Sequence, residues 1–366
     1  MIGFRGIYYV AIVIAGVAYI ALSQNRPLQP WLLIAAMLIF GSASVPAVYW
    51  NAPSLALYPV FFFTALLLTS QVNIQEVSRY VDVASWILLV ALAGAAVGLL
   101  MEKFGFGPMF EFTDKTGRSY YWYYTTITTV GSTTGERPSA FYDEPGALSF
   151  MVCLIAFMRF TLRKDYRITW LLLGLGFVTF SFAHLFYVIF HLAADDYDKR
   201  KLRILTAGIF AAVALGAVVG LSSNFADKIL TRTSAEGIMS DPRLAQFTNA
   251  FYSLGSERVF LFGLGPDCTL DRQACQAREV AFSENPLAPL VHHGVFIAWP
   301  YYVFIFGAFL APLAGRRGLA FFAVGLLFWQ RPYVLGIGYS LLALLAGYLQ
   351  LSQLRQSRFG RWAVAR

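Results

Sequence analysis

The chain has 366 residues, of which 58% are hydrophobic and only 13% are charged. With a mean hydropathy of +0.60 it is too apolar for a water-soluble globular protein, and the sequence predicts an all-helical, polytopic integral membrane protein. The formal net charge of +8 does not indicate a nucleic-acid-binding protein, because the basic residues fall mainly in short runs between apolar segments.

Apolar segments approaching the roughly 20 residues needed to cross a bilayer recur along the chain and predict about 11 transmembrane helices, within a range of about 10 to 12. We interpret residues 1–23 as the first span rather than a signal peptide, and residues 1–366 as one membrane-embedded domain. The apolar run Ile168–Leu192 is interrupted at Thr179–Ser181, which fits two short helices or a re-entrant hairpin. The other spans lie near 6–23, 31–50, 54–71, 82–101, 147–162, 203–222, 288–313, 318–331 and 334–352.

Clusters of arginine and lysine predict which side of the membrane each loop occupies, because short cytoplasmic loops carry an excess of these residues. On this basis, residues 102–146 and 223–287 are two large external loops, which we expect to contain short helices. The clusters that mark the cytoplasmic side are Arg159, Arg163, Lys164 and Arg167; Lys199, Arg200, Lys201 and Arg203; Arg316 and Arg317; and Arg355, Arg358 and Arg361.

Two of the three cysteines lie in the second external loop, seven positions apart. Cys268 and Cys275 are predicted to form a disulfide, which fits an oxidising periplasm; two free thiols are the alternative. Neither residue is accompanied by the histidine or second cysteine pair that a zinc site requires, and we expect no metal. Cys153 lies inside a predicted span.

The first external loop combines aromatic residues with charges at the mouth of a predicted span. Tyr120–Tyr124 are either an interfacial aromatic belt or a platform for sugar rings or a lipid headgroup. Arg137 has no topological reason to lie on the external side, which favours binding of a phosphate by its planar guanidinium group. Asp143 and Glu144 lie where the chain enters the apolar segment, a position where ionisable groups are costly and usually functional.

The segment Arg232–Asp267 of the second external loop holds three arginines, against the positive-inside bias: Arg232, Arg243 and Arg258. Two of them could make bidentate contacts to a pyrophosphate-linked substrate; solvated charges paired with Asp241 or Glu257 are the alternative. The loop also contains Gly263-Leu264-Gly265, which lacks the strand and helix context of a dinucleotide-binding motif.

The end of the second loop carries the candidates for a general base. Glu284 precedes Asn285, and His292 and His293 stand at the entrance of the next span. Glu284 is our first choice, because partial desolvation can tune a carboxylate towards neutrality, and His293 is the second. A histidine at a helix start can equally be a capping or packing residue.

The order of these features resembles the O-antigen polymerase family, which includes polymerases of O-antigen and exopolysaccharide and the related O-antigen ligases. The resemblance covers roughly residues 80–350 and rests on the pattern Arg-x-x-x-Phe-x-x-Glu-Pro-Gly at 137–146, the arginine-bearing loop ending at Gly263–Gly265, and Glu284-Asn285 before a glycine-bearing helix. It implies a bacterial inner-membrane glycosyltransferase of the all-helical, glycosyltransferase C-like type, with its active site facing the periplasm and with no metal, nucleotide sugar or other cofactor.

The same resemblance implies a reaction and a set of binding residues. The growing glycan would move from undecaprenyl pyrophosphate to the non-reducing-end sugar of another lipid-linked repeat unit. Membrane lipid and a chain-length regulator protein are the other candidate partners. Arg137, Glu144, Arg232 and Arg243 match the family's substrate-binding positions, and Asn285 accompanies the base. Ligases have His-Asn at Glu284-Asn285 and Ser-Arg at Ser181-Phe182, and both departures argue against ligase activity.

Two further classes are alternatives. The segment Tyr121–Gly131 resembles a potassium-channel pore helix running into its filter, but the chain continues Ser132-Thr133-Thr134-Gly135 instead of completing the filter. A transporter of lipid-linked sugars would require charges along the spans, whereas most ionisable residues here lie in loops.

Overall fold

The computed structural model describes residues 30–52, 55, 57–113, 119–130, 137–142, 144–179, 181–196, 198–218, 242–265, 285–331 and 337–364. Of these residues, 79% are helical, which confirms that helices predominate. The number of spans stays a prediction.

Most of the described helices overlap the predicted apolar segments. The helices over 242–254 and 257–262 are the short helices expected in the second external loop, and the last helix continues to Val364, beyond the span predicted near 334–352. Residues 176–179 and 311–314 form short 3-10 turns. The helices are α1 Pro30–Tyr49, α2 Leu57–Gln71, α3 Ile74–Lys103, α4 Pro145–Thr161, α5 Tyr166–Leu175, α6 Phe182–Ala194, α7 Lys199–Val218, α8 Pro242–Leu254, α9 Glu257–Phe262, α10 Ala288–His293, α11 Val295–Leu310, α12 Gly318–Gln330 and α13 Ile337–Val364.

Within the described residues, two helices are long and apolar enough to cross a membrane, over Ile74–Glu102 and Val295–Ala314.

The interruption predicted at Thr179–Ser181 is confirmed as a break between two short helices, α5 and α6. Asp165 caps α5 by accepting a hydrogen bond from the backbone N–H of Arg167. At the break, the Thr179 hydroxyl donates to the carbonyl oxygen of Gly176 at 2.9 Å, so the side chain replaces a helical backbone partner.

The described residues group into two compact units. The first comprises residues within 30–73, 242–309 and 328–348, and the second comprises residues within 74–218, 310–327 and 349–364. The prediction of one membrane-embedded domain stays a prediction.

The first external loop, expected to hold short helices, instead carries a small antiparallel sheet in the second unit. Its strands are β1 Phe110–Thr113, β2 Ser119–Tyr123, β3 Thr126–Val130 and β4 Arg137–Pro138, ordered β1-β2-β3-β4. The aromatic and β-branched residues of β2 and β3 favour a pleated surface over a helix, and Tyr124, with a φ of 49°, turns the chain between them.

The sheet packs directly on α3 at two glycines. The Thr125 hydroxyl donates to the carbonyl oxygen of Gly94 at 2.7 Å. A Cβ at Gly98 would lie 2.1 Å from the methyl group of Thr126, so only glycine allows this approach. The predicted loop therefore packs against a helix that is long and apolar enough to cross a membrane.

A buried arginine joins α3, α4 and α5 in the second unit. Arg159 is 1% exposed and donates to the Asp82 carboxylate at 2.9 Å, the Ser85 hydroxyl at 3.1 Å and the Asp165 carbonyl oxygen at 3.2 Å. Lys164 also pairs with Asp82. Sequence analysis treated Arg159 only as a marker of the cytoplasmic side, whereas the structure makes it an interior cross-link between helices.

Candidate functional site

Residues of the second predicted external loop and the start of the following predicted span fold into a small helical cluster in the first unit. The span predicted near 288–313 is interrupted at Gly294, and its first residues form a separate short helix, α10. We call it the loop module and define it as residues 242–265 and 285–294, which contain α8, α9 and α10. Its core consists of Ala250, Ala288 and Val291, all buried, with Leu254, Val259, Leu264 and Leu287 packed around them. Three of the predicted site residues lie in the module: Arg243, Asn285 and His293.

Asn285 ties the candidate-base segment to α8. Its side chain is 3% exposed, donates to the carbonyl oxygen of Gln246 at 2.9 Å and accepts from the backbone N–H of Leu287 at 2.9 Å. Gln246 lies three residues after Arg243, which is one helical turn. Asn285, the chain neighbour of Glu284, is therefore held one turn along α8 from the Arg243 backbone.

Glycines at two places let the backbones of the module approach closely. Gly263 and Gly294 have φ values of 75° and 68°, in the left-handed region that favours glycine. A Cβ at Gly263 would lie 2.4 Å from the carbonyl oxygen of His292, and one at Gly294 would lie 2.3 Å from that of Leu261. The backbone N–H of Leu264 donates to Val291 at 2.9 Å. Gly263 and Leu264 therefore serve backbone packing against α10, whereas Gly265 lies against the Trp50 ring.

Gly294→Ala is expected to lower the stability of the first unit by at least about 2 kcal/mol, because it combines backbone strain with a steric overlap. Gly307→Ala, in α11, is the matched control: a Cβ there meets nothing within 4 Å, and the change should leave stability equal or slightly higher. Thermal unfolding of both variants in detergent measures the difference. Equal unfolding temperatures would show that the module tolerates separation of the two segments.

His293, the second candidate base, is a packed residue. It is 8% exposed, and its ring centroid lies 5.2 Å from that of Tyr58. Its Nδ1 atom has no hydrogen-bond partner among the described residues. Burial, with a smaller effect of the neighbouring His292, holds the pKa of His293 well below its usual range, which makes the imidazole a weaker base.

The loop module is attached to the end of α1. The Trp50 indole N–H donates to the carbonyl oxygen of Phe262 at 3.2 Å, and the Tyr49 and Phe262 rings stack at 4.1 Å. The Arg258 guanidinium lies 4.6 Å from the centre of the Trp50 ring, a cation–π contact. Arg258 was a predicted site residue, but Trp50 was not. The position of Trp50 at the end of an apolar helix could have indicated its role in this attachment.

The two predicted site residues of the first loop belong to the other unit. Arg137 lies in β4, with its backbone opposite Thr129 of β3. Glu144 is the residue before α4, and Pro145 occupies the first helical position. A carboxylate at this position favours the helix through the dipole, so Glu144 has a structural role that does not depend on substrate.

Several predicted residues lie outside the described part of the chain: Arg232, Asp143, Cys268, Cys275 and Glu284. The disulfide and the base assignment therefore stay predictions. Among the described residues Cys153 is a free, buried cysteine, and that part of the chain contains no group of three or more potential metal ligands.

Sequence analysis did not single out the other two histidines, His184 and His191, which are fully buried on α6. His184 Nδ1 lies 3.3 Å from Cys153 Sγ, and its Nε2 donates to the carbonyl oxygen of Leu173 at 2.7 Å. His191 Nδ1 lies 3.1 Å from the Tyr187 hydroxyl. The seven-residue spacing of the histidines on one apolar helix was the available signal. Their contacts secure the packing of α4, α5 and α6.

Comparison of the chain with protein-family models, with curated proteins and with solved structures found no match.

Proposed function

We propose that this chain is a bacterial inner-membrane glycosyltransferase that polymerises lipid-linked polysaccharide repeat units on the periplasmic side. It would transfer the growing glycan from undecaprenyl pyrophosphate to the non-reducing-end sugar of an incoming lipid-linked repeat unit. The product class would be O-antigen, capsule or exopolysaccharide, and no metal or other cofactor would be required.

Two observations support the membrane part of the proposal. The apolar stretches of the two candidate spans are only 44% and 39% buried inside the protein, whereas the core helix of a soluble protein is mostly buried. The helix contacts also agree with the predicted sides. Asp82 pairs with Arg159 and Lys164 at predicted cytoplasmic ends, and Trp50 meets Phe262 at predicted external positions.

The observation that carries the proposed chemistry is the hydrogen bond from Asn285 to the carbonyl oxygen of Gln246. It connects the segment that follows Glu284 with the helix that bears Arg243. Glu284 and Arg243 are far apart in the sequence. Glycosyl transfer from a pyrophosphate needs those two functions together: a base for the acceptor hydroxyl and a cation for the leaving group.

The reaction would proceed without a metal because pyrophosphate is already a good leaving group. Glu284 would take the proton of the acceptor hydroxyl, and the oxygen of that hydroxyl would bond to the anomeric carbon of the donor sugar. The bond from that carbon to the pyrophosphate oxygen would break, and arginine would stabilise the charge that develops there through bidentate, charge-assisted hydrogen bonds. Arg243 is our first choice; the roles of Arg137, Arg232 and Glu144 stay predictions.

A ligase that transfers the glycan to a different acceptor is the alternative within this class, and Glu284-Asn285 in place of His-Asn argues against it. The channel alternative fits the structure poorly. The described part of the compared segment, residues 121–130, forms antiparallel strands of β2 and β3, with Trp122 opposite Ile127, and contains no helix.

Deletion of the gene in its own bacterium is expected to leave surface glycans at the length of a single repeat unit, and the wild-type gene should restore long chains. Arg243→Lys should fail as badly as Arg243→Ala, because a point charge cannot reproduce the bidentate geometry of a guanidinium. Electrophoresis of the surface polysaccharide measures chain length.

The control for this experiment is Arg200→Lys, the same change at an exposed arginine of a predicted cytoplasmic cluster, which should restore full length. Full-length polymer from both Arg243 variants would remove Arg243 from the site. Normal polymer in the deletion strain would overturn the polymerase assignment itself.

A further inference from the structure

Helix α8 of the loop module has an apolar side that the described residues of its own unit leave exposed. Leu244, Phe247 and Phe251 are 43%, 40% and 65% exposed. They recur at positions i, i+3 and i+7, so they form one stripe along the helix. Tyr252, beside this stripe, is also exposed.

The packing of the module uses a different side of α8. Ala250 is fully buried in the module core, and the backbone of Gln246 receives the Asn285 side chain. Asn249 is exposed and lies about 160° around the helix from both Phe247 and Phe251, at about 100° per residue. The helix therefore has a packed side, an exposed aromatic side and an exposed polar side.

The attachment of the module to α1 indicates the depth of the aromatic stripe relative to the membrane. α1 is a 20-residue apolar helix, and Tyr49 and Trp50 stand at its end. Aromatic residues at the ends of apolar spans occupy the membrane–water interface. Because Trp50 bonds to Phe262 and Tyr49 stacks on it, α9 and the neighbouring α8 lie at this level.

The segment 242–265 carries two basic residues and one acidic residue, a balance that matches the chemistry of lipid headgroups. Arg243 stands in the first turn of α8, Arg258 lies on the Trp50 ring, and Glu257 is the only acidic residue between 242 and 265. Cations beside an apolar stripe are typical of helices that lie in the plane of a membrane surface and contact lipid phosphates.

We propose that α8 is an interfacial helix, with Leu244, Phe247 and Phe251 inserted among the lipids of the outer leaflet and Asn249 facing water. This inference deepens the proposed function. The insertion of α8 into lipid does not depend on the proposed function, but its effect on the donor does. The insertion would hold the Arg243 backbone and the Asn285 segment at the depth of a lipid-linked pyrophosphate, so that the donor need not leave the bilayer.

The test places a photoreactive phenylalanine, p-benzoylphenylalanine, at 251, at 247 or at 249 of the full chain. Each variant is reconstituted in vesicles of phosphatidylethanolamine and phosphatidylglycerol, irradiated and analysed by mass spectrometry. Positions 247 and 251 are expected to give lipid adducts at least about tenfold more often than position 249, since only the aromatic side meets acyl chains. Position 245, about 160° from Phe247 and also exposed, replaces 249 if that variant does not fold.

Equal lipid labelling on both sides of the helix would overturn the proposal. So would adducts at 251 with peptides of a second copy of the chain or of another protein, because the stripe would then be a protein interface. The experiment needs neither donor nor acceptor sugar. Lipid adducts from a chain that fails the deletion and complementation experiment would support the interfacial helix while contradicting the polymerase.

Discussion

Glu284→Gln is expected to abolish glycan transfer while leaving binding of the lipid-linked substrate nearly intact. The amide keeps the size of the side chain but cannot accept the proton of the acceptor hydroxyl. Asn285, the chain neighbour of Glu284, is held in place by hydrogen bonds with Gln246 and Leu287. Reconstituted protein supplied with lipid-linked repeat units would measure transfer, and retention of the labelled donor on the protein would measure binding.

His293→Gln is the comparison that separates the two candidate bases. Because burial holds the pKa of His293 well below its usual range, a stronger base elsewhere is favoured, and this variant should retain measurable transfer. The variant needs a check of thermal stability, since His293 packs beside Tyr58. An inactive but folded His293 variant beside an active Glu284 variant would reassign catalysis to the histidine.

Arg159→Met is expected to destabilise the second unit by about 3 kcal/mol, near the lower end of the cost of breaking a buried ion pair. The variant loses hydrogen bonds to Asp82, Ser85 and Asp165. Asp82 would keep its Lys164 partner and is 43% exposed, so its charge would not be stranded, and this limits the loss. Unfolding by denaturant in detergent measures the change.

Arg167→Met is the matched control, because Arg167 belongs to the same basic run but is exposed. Its effect should be small, and Arg159→Lys should fall between the two, since lysine retains the charge but not the several directed donors of arginine. Similar stabilities of the Arg159 and Arg167 variants would mean that the buried network contributes little to stability.

Most helix positions could be predicted because the length of an apolar run is a local property of the chain. The span predicted near 147–162 is Pro145–Thr161, and the one near 318–331 is Gly318–Gln330. The segment predicted near 82–101 begins earlier, at Ile74. Its first turns carry charges that a hydropathy argument excludes, but one of them, Asp82, finds its partner in Arg159 on another helix.

The sheet of the first external loop could not be predicted in this way. A strand is stabilised by the strand it pairs with, and such pairs are set by register and turn geometry as much as by composition. The same aromatic and threonine-rich run resembled a channel pore helix in sequence, and pairing of Tyr121 with Thr128 decided between the two conformations.

The sequence by itself determined the predominance of helices, the place of the break near Thr179 and the chemically suitable candidates in the second loop, because these follow from residue type and spacing. Only the tertiary structure decided which candidates have partners. It placed Asn285 against α8, His293 beside Tyr58 and Arg258 on Trp50. These contacts join residues separated by tens to hundreds of positions, and a buried polar group is satisfied by whatever the fold brings to it, which no local pattern records.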